Sequence, residues 1–417
     1  MNFIHAADVH IDSPMRGLES FEGAPVDELR SAPRRSFENI VNLAVDRDVD
    51  FLIIAGDLFD GRWRDMQTGI WASAQFHRLQ DAKIPAFLLQ GNHDADSLVR
   101  QAITWPDNVH RFSTDHPCTF DVPGLNVVLH GQGFANRECL GDLVPNYPDA
   151  VPGKFNIGVL HTSLTGDSHH DPYAPTTNST LNGKGYDYWA LGHIHARQVV
   201  QDHPPIVFAG NSQGRHILES GAKGCYLVTC EPGCEPQLEF QATDCVRWQT
   251  AVVEIEPHDG RDEVLQRVQG ALQEFCDRAD GRLTAVRVRL TGVTDAYRLF
   301  ASVDGQAEMK GEVQSLAHCF AGQIWIERLK VDLTPRAPID ELRQGNDLFG
   351  ELLRQIHCLH DDEESLRAMS EALGDLEQKA SRELQLAGIQ LRDPGEIRQW
   401  LATAEQMLAH RLWDPTT

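Results

Sequence analysis

Short apolar runs alternate with helical or loop segments over residues 1–243, a pattern typical of an α/β layered domain. The runs predict strands at residues 3–6, 51–55, 86–89, 127–129, 157–160, 188–191, 206–208 and 226–228. Between the first two strands, apolar positions at helical spacing predict an amphipathic helix over residues 34–45. We therefore expect residues 1–243 to form one α/β domain.

The pattern changes after residue 243. The segments WQTAVVEIEP, LTAVRVRLTG and IWIERLKVDL read as strands, and helical runs lie between them. This order predicts a small α/β capping domain of the form β-α-β-α-β over residues 244–334. The stretch TPRAP from Thr334 to Pro338 reads as a linker, because its two prolines prevent both a helix and a strand ladder from continuing.

Residues 335–417 are predicted to form a helical C-terminal region. Asp393 and Pro394 suit the start of its last helix. Two helical stretches of this region each carry an apolar stripe. The first stripe contains Leu348, Phe349, Leu352, Leu353 and Ile356, and the second, on the last helix, contains Ile397, Trp400, Leu401, Ala404, Leu408 and Leu412. Such stripes either cover the core of the second domain or bind a partner, and the sequence leaves both interpretations open.

Composition places the chain among folded soluble proteins. With 417 residues it is too long for one ordinary core, and 41% hydrophobic with 24% charged residues is typical of globular proteins. No apolar run is long enough to span a bilayer, and the N-terminus lacks the features of a signal peptide. Nine cysteines, an odd number, are expected to be free thiols. These observations predict a cytoplasmic protein.

Cys230 and Cys234 form a closely spaced pair that raises the question of a zinc site. No second pair stands at the spacing of a zinc finger, so a turn with two incidental thiols is favoured.

Carboxylate, amide and imidazole side chains follow five of the predicted strands of the first domain. These side chains are Asp8, His10, Asp57, Asn92, His161, His193 and His195. Open α/β sheets place their ligand sites at the carboxyl ends of strands, so we expect this set to converge. A single Asp-x-His is usually a surface turn, but seven such residues at five strand ends favour a functional site.

The donor types fit hard or borderline divalent ions. Manganese suits them best, zinc or iron are alternatives, and no thiolate joins the set. Seven donors are too many for one ion but fit two, with Asp57 shared between the ions. Two neighbouring ions can clamp the attacking and leaving oxygens of a displacement at phosphorus. The glycines before the donors are expected to let the backbone approach the ions. His169 and His170 lie in a polar loop, which favours solvent exposure over a ligand role.

The ordered motifs Asp-x-His, Gly-Asp-x-x-Asp, Gly-Asn-His-Asp, His and Gly-His-x-His resemble those of the calcineurin-like metallophosphoesterase superfamily. The segments IHAADVHIDSP, DYWALGHIH and GNSQGRHILESGAKGCYLV are similar to the SbcD-like DNA repair exonucleases, especially their YhaO branch. The resemblance implies an α/β layered sandwich with two mixed β-sheets flanked by helices.

The resemblance also implies roles for individual residues. One ion would be held by Asp8, His10, Asp57 and His195, and the other by Asp57, Asn92, His161 and His193. His93 would be the catalytic histidine near the scissile phosphate, and Asp94 would orient it. Some relatives have a histidine where this chain has Asp60, so Asp60 receives at most a supporting role. Arg215 and His216 would contact a phosphate.

The function implied is that of a manganese-dependent phosphodiesterase acting on DNA, an exonuclease that works in repair with an SbcC-like coiled-coil ATPase. The alternatives are a phosphatase or small-molecule phosphodiesterase of the same superfamily, or a non-catalytic scaffold subunit that regulates an ATPase. A homodimer is left open. The net charge of -24 opposes the first interpretation, because DNA-binding proteins usually display a basic face. We therefore expect the isolated chain to bind duplex DNA weakly.

Overall fold

The computed structural model describes residues 1–13, 15, 23–60, 66–95, 103–164, 173–231, 234–335, 339–380, 384 and 390–412. The predicted loop with His169 and His170, and residues 336–338 of the predicted linker, lie outside this part. The chain divides into two compact units. The first comprises Met1–Trp248 with Arg282–Thr284, and the second comprises Gln249–Gly281 with Ala285–Thr417.

The strands, in chain order, are β1 (Asn2–Ala6), β2 (Phe51–Ala55), β3 (Ala86–Leu89), β4 (Val109–Arg111), β5 (Cys118–Asp121), β6 (Val127–Gly131), β7 (Phe155–His161), β8 (Tyr188–Gly192), β9 (Gln198–Asp202), β10 (Pro205–Phe208), β11 (Gly224–Thr229), β12 (Gln237–Ala242), β13 (Val246–Ile255), β14 (Leu283–Thr294) and β15 (Ile324–Pro335). The helices are α1 (Val26–Asp46), α2 (Met66–Asp81), α3 (Asn92–Ala95), α4 (Asn178–Asn182), α5 (Arg261–Arg278), α6 (Tyr297–Ala301), α7 (Val303–Ala317), α8 (Ile339–Arg343), α9 (Leu348–Asp361), α10 (Glu363–Ala372), α11 (Gly374–Lys379) and α12 (Pro394–Leu412). Short 3-10 turns cover Val144–Asn146 and His318–Phe320.

Two mixed sheets form the first unit, in the orders β12-β11-β1-β2-β3-β4 and β5-β6-β7-β8-β10-β9. The neighbours β1, β2, β3 and β4 run parallel, as do β6, β7, β8 and β10. Apolar side chains of both sheets fill the layer between them, including Phe3, Phe51, Ile157 and Tyr188. The predicted fold class, a layered sandwich of two mixed sheets flanked by helices, is confirmed.

Helices cover the outer face of the first sheet. In α1, the buried residues Leu29, Phe37, Ile40 and Ala44 recur at helical spacing and pack against this face. The helix predicted over residues 34–45 is longer than expected, because it begins at Val26 and includes Pro33.

Four strands of the first unit, β4, β5, β9 and β12, were not predicted from the hydrophobic pattern. Each contains polar residues and is partly exposed, and β4, β5, β9 and β12 all lie at the edges of the two sheets. Edge strands do not need the continuous apolar run of a buried parallel strand, so hydrophobicity alone does not reveal them.

The second unit contains the three-stranded sheet β13-β14-β15. The chain follows the predicted β-α-β-α-β order through α5 and α7, with the short α6 added before α7. Alternate residues of β13, such as Ala251, Val253 and Ile255, pack with Val264 and Val268 of α5 in one core. The second of the predicted helices is α7, which begins at Val303.

The C-terminal helices belong to the same compact unit as this sheet. Leu353 and Ile397 of the apolar stripes are buried, whereas Leu348 is 87% exposed. The buried residues fit the interpretation as core cover, and binding of a partner by the exposed ones stays a prediction. The side chain of Leu412 lies outside the described part of the structure. None of the described helices is long and apolar enough to cross a membrane.

Candidate metal centre

Four of the seven predicted donors sit on strained backbone just beyond the ends of parallel strands. Asp8, His10, Asp57 and His193 all have positive φ, at 48°, 48°, 53° and 96°. Each such conformation costs about 1–3 kcal/mol, and the cost is borne mainly at functional sites. Backbone bonds hold the loops together, because the amide of Asp8 donates to Gly56 O and that of His10 to Asp57 O, both at 3.0 Å.

One group of donors is formed by Asp8, His10 and His195, whose ligand atoms lie within 4.8 Å of one another. Nε2 of His10 lies 3.2 Å from Nε2 of His195, and Nε2 of His195 lies 3.9 Å from Oδ1 of Asp8. Oδ2 of Asp57 is 4.0 Å from Nε2 of His10. These are the four residues expected at the first ion.

The second group contains Asp57 and His161, and Asp8 joins it. Nε2 of His161 lies 2.9 Å from Oδ1 of Asn92 and 3.4 Å from Oδ2 of Asp57. The His193 ring is 5.1 Å from the His161 ring. All seven predicted donors are therefore brought together. Oδ2 of Asp57 faces one imidazole of each group, and the membership of Asp8 in both groups was not expected.

Neighbouring acceptors fix the orientation of two imidazoles. Nδ1 of His161 donates to the carbonyl of Ala55 at 3.0 Å, and Nδ1 of His195 donates to Oε1 of Glu219 at 2.7 Å. The Nε2 atoms of both rings therefore face the other donors. The Nε2 lone pair of each ring would be repelled by the carboxylate and amide oxygens that it faces, unless a proton or a cation lies between the nitrogen and those oxygens. Metal-binding histidines are likewise oriented by an acceptor at their other ring nitrogen.

The charges of the site also suit a cation. Burial and the nearby charge of Arg215 hold the pKa of His10 well below its usual value, so His10 is neutral, the form that binds metals. Burial opposes ionisation of Asp57, but His161 outweighs it and lowers the pKa of that carboxyl. In turn, Asp57 raises the pKa of His161 to about 9 against the effect of burial.

The residues present fit a pair of divalent ions. Two buried carboxylates, an amide oxygen and inward-facing imidazoles form the donor set, and Nδ1 of His10 has no hydrogen bond among the described residues. Among the described residues, none of the candidate ligand groups contains a cysteine, and Cys230 and Cys234 are free thiols.

The partner of His93 differs from the expected one. Nδ1 of His93 lies 2.7 Å from Oδ1 of Asp60, and Ser13 Oγ donates to Oδ2 of Asp60 at 2.6 Å. Asp60, which was given at most a supporting role, therefore orients His93. Asp60 and the charge of Asp57 raise the pKa of His93, although burial opposes this.

Asp94 has a different task from the one predicted for it. Its carboxylate accepts backbone N–H groups of Leu58, Phe59 and Gly91 at 3.2, 2.9 and 3.2 Å. Asp94 and His93 are adjacent in the short helix α3, where successive side chains point in different directions. Asp94 consequently joins the loop that carries Asp57 to the loop that carries Asn92.

Glu219 was missed by the sequence analysis. It accepts from Nδ1 of His195 and from Nδ2 of Asn211, the latter at 2.9 Å. Burial opposes its charge, but His195 and Arg215 hold the pKa of Glu219 well below its usual value. Its place within the segment GNSQGRHILESGAKGCYLV was visible, but no spacing rule places it beside His195.

Arg215 and His216, the two predicted phosphate contacts, differ in their exposure to solvent. Arg215 is largely buried between Asp60 and Glu219. His216 is half-exposed, with Nε2 3.6 Å from Oε1 of Glu219.

The glycines before the donors have a steric reason beside the expected one, which stays a prediction. A Cβ on Gly56 would overlap the His161 ring, one on Gly91 would overlap the Asp57 carboxylate, and one on Gly192 would overlap the carbonyl of Ala55. Gly56 also has a φ of +101°, which favours glycine. The glycines thus make room for donor side chains and for the neighbouring strand.

Gly192→Ala should separate the end of β8 from β2, because its Cβ meets backbone that has no rotamer to change. We expect the free energy of unfolding to fall by about 1–3 kcal/mol, as in overpacked cores, and metal affinity to fall with it. Thermal unfolding with and without manganese measures both effects. Gly270→Ala is the matched control, since it lies on the exposed face of α5 with open space for a Cβ and should stabilise by up to about 1 kcal/mol. Unchanged stability and metal binding in Gly192→Ala would contradict this reading.

Comparisons with known proteins agree with this geometry. A family model described as calcineurin-like phosphoesterase matches residues 1–197, and a model of the middle domain of metallophosphoesterase YhaO matches residues 248–334. The chain is 33% identical over 363 residues to the uncharacterized metallophosphoesterase YhaO of Bacillus subtilis, covering 85% of this chain and 87% of that protein.

Two more distant similarities were found. The DNA double-strand break repair protein Mre11 of Methanopyrus kandleri is 23% identical over 295 residues, which is 64% of this chain and 62% of Mre11. The chain thus spans less than two thirds of that relative. The crystal structure of a dimetal phosphatase from Danio rerio covers 55% of this chain and 92% of its own, with a TM-score of 0.33 and 12% identity.

Proposed function

Because the chain belongs to the calcineurin-like metallophosphoesterases, we propose that it is a two-metal phosphodiesterase that hydrolyses DNA. The observation that carries this proposal is the convergence of all seven predicted donors beside a histidine already held by a carboxylate. Among the donors, Asp8 and Asp57 are buried, whereas 31% of the His93 side chain is exposed and open to a substrate. Oxygen and imidazole donors suit manganese, with zinc or iron as alternatives.

The reaction we propose is attack of water on phosphorus and departure of a sugar oxygen. When bound, a pair of divalent ions supplies positive charge to the transition state and lowers the pKa of water. Asp60 accepts the Nδ1 proton of His93. Although burial opposes it, Asp60 and Asp57 raise the pKa of His93 and so favour the imidazolium, whose second proton, on Nε2, passes to the leaving oxygen. Asp94 keeps the Asp57 and Asn92 loops in register through its three backbone bonds.

DNA as the substrate is supported by the similarity to Mre11 and opposed by the net charge of -24. Counterion release needs many Lys and Arg contacts to phosphate, and this chain has 37 basic residues against 61 acidic ones. The proposal therefore includes weak DNA binding by the isolated chain, with a coiled-coil ATPase supplying most of the DNA-binding surface.

Purified protein with manganese, assayed on end-labelled duplex and single-stranded DNA and on a nitrophenyl phosphodiester, tests the function. Progressive loss of label from DNA ends that disappears in His93→Ala supports the exonuclease. Turnover of the small ester alone supports a phosphatase or small-molecule phosphodiesterase. Turnover of neither substrate supports a scaffold subunit without catalysis.

Helix α9 of the C-terminal region is the proposed docking site for the ATPase. Leu353 is buried in the helical core with Ile339 and Ala409, while Leu348 and Leu352 of the same helix α9 are exposed. An exposed apolar pair on one helix suits packing against a coiled coil. We therefore propose that Leu348 and Leu352 contact the partner, whereas Leu353 belongs to the helical core.

A variant with Leu348→Glu and Leu352→Glu should lose co-purification with a co-expressed coiled-coil ATPase, because two charges replace the apolar contact. Hydrolysis of the small diester by the variant should remain within about twofold, since surface changes of this kind have small effects on folding. Leu376→Glu, at an exposed leucine of α11, is the matched control and should retain the ATPase. Co-purification that survives the double substitution would refute this docking site.

A further inference from the structure

Two carboxylates that orient histidines of the site share one guanidinium group. Asp60 holds Nδ1 of His93 and Glu219 holds Nδ1 of His195, each at 2.7 Å. Nη1 of Arg215 lies 3.6 Å from Oδ2 of Asp60, and Nη2 lies 3.1 Å from Oε1 of Glu219. A continuous chain of polar contacts thus runs from His93 to His195 through Arg215.

We propose that Arg215 is a positioning residue that couples the proton-donating His93 to the metal-binding His195. The proposal rests on the metal-dependent function proposed above and adds to it a link between the two parts of the site. It also replaces the role expected from the sequence, in which Arg215 contacts a phosphate.

Burial makes these contacts strong enough to position side chains. The exposed fractions are 16% for Arg215, 13% for Asp60 and 8% for Glu219. Salt screens such ion pairs little, and removal of one member leaves its partner buried with an uncompensated charge. The planar guanidinium presents separate N–H groups to the two carboxylates, which the compact ammonium of lysine cannot reproduce.

The backbone around Arg215 is fastened to the same carboxylate. The amide of Arg215 donates to Oε2 of Glu219 at 2.7 Å, and Nδ2 of Asn211 donates to the same oxygen at 2.9 Å. Nζ of Lys223 donates to the carbonyl of His195 at 2.9 Å. The turn therefore holds Glu219, Arg215 and His195 in a fixed arrangement.

A purely phosphate-binding arginine would act differently. It would keep its terminal N–H groups available to substrate, whereas both terminal nitrogens of Arg215 face carboxylates of the protein. Loss of a phosphate contact raises KM and leaves metal affinity unchanged. Loss of a positioning residue weakens metal binding and lowers kcat, because both histidines lose their orientation.

Manganese titration by calorimetry, without substrate, is the first readout. Arg215→Gln should weaken manganese binding by about 10- to 100-fold, the usual effect of removing a residue that orients a metal ligand. The kcat for a nitrophenyl diester should fall by a similar factor, with KM changed less than about threefold. Arg197→Gln, the same charge change at a residue that stacks on Phe240, is the matched control and should leave both readouts unchanged.

Variants of Asp60 and Glu219 test the His93 end and the His195 end of this chain of contacts separately. Glu219→Gln should mainly weaken manganese binding, and Asp60→Asn should mainly lower kcat. The effects of Arg215→Gln and Glu219→Gln should be less than additive, since the residues act as a unit. Arg215→Lys should have the same low manganese affinity and the same low kcat as Arg215→Gln. It replaces Arg215→Gln in both measurements if the glutamine variant fails to fold.

Manganese affinity in Arg215→Gln or Arg215→Lys equal to that of the wild type, with only KM raised, would overturn the proposal and make Arg215 a substrate contact. Titration without substrate keeps this outcome separate from the choice of substrate. A wild-type chain that binds no divalent ion would instead refute the proposed function.

Discussion

Asp57→Asn should lose bound metal and phosphodiesterase activity together. Oδ2 of Asp57 lies 3.4 Å from Nε2 of His161 and 4.0 Å from Nε2 of His10, so this carboxylate serves both groups of donors. A neutral amide cannot offset the charge of two dications. Metal ions supply several kcal/mol of charge stabilisation, so turnover should fall by about 10³-fold or more.

Elemental analysis of the purified variant measures the loss of metal, and hydrolysis of the small diester measures the loss of activity. Asp50→Asn is the matched control, because Asp50 immediately precedes the same strand β2, belongs to neither donor group, and accepts the amide of Asn2 at 2.7 Å. That variant should keep both ions. Two tightly held ions in Asp57→Asn would exclude the bridging role.

His93→Ala should separate the chemical step from metal binding. The candidate ligand group that includes His93 contains His10 and Asp60 but neither Asp8 nor Asp57, so we expect both ions to remain. Turnover of the diester should fall by about 10²- to 10⁴-fold, the usual contribution of a positioned acid or base.

Two further variants test the pairing of His93. Asp60→Asn should lower kcat with the ions retained, because His93 loses the carboxylate that orients it. Asp94→Asn should instead destabilise the loops of Asp57 and Asn92, since an NH2 group replaces one of the two oxygens that accept the three backbone N–H groups. Turnover within a few-fold of the wild type in His93→Ala would make His93 a structural residue.

The strands of the sheet centre and the donors after them could be predicted from the sequence. Buried parallel strands need continuous apolar runs, and the carboxyl ends of neighbouring parallel strands meet at one edge of their sheet. Polar residues such as Asp8 and Asp57, which follow the neighbouring strands β1 and β2, therefore had to lie close together. The side-chain partners beyond the donors could not be predicted in this way. Asp94 is adjacent to His93 in the chain, yet adjacent residues of a helical turn do not face each other, and the contact falls to Asp60.

Long-range contacts explain the other omission. Glu219 reaches His195 only because β10 and the turn after it return the chain to the metal centre, and local periodicity carries no information about that return. The glycines are a second example of a contact that local sequence does not reveal. Their positions are visible in the sequence, but the neighbours that they make room for, such as the Ala55 carbonyl beside Gly192, are known only from the packing.

The number and coupling of bound manganese ions test the central claim most directly. Ions clamped about 3.5–4 Å apart by a shared carboxylate interact magnetically, so electron paramagnetic resonance distinguishes a pair from isolated ions. At saturation we expect two manganese ions per chain and the spectrum of a coupled pair, which Asp57→Asn abolishes. A single bound ion, or two ions with the spectrum of isolated manganese, would contradict the two-metal centre.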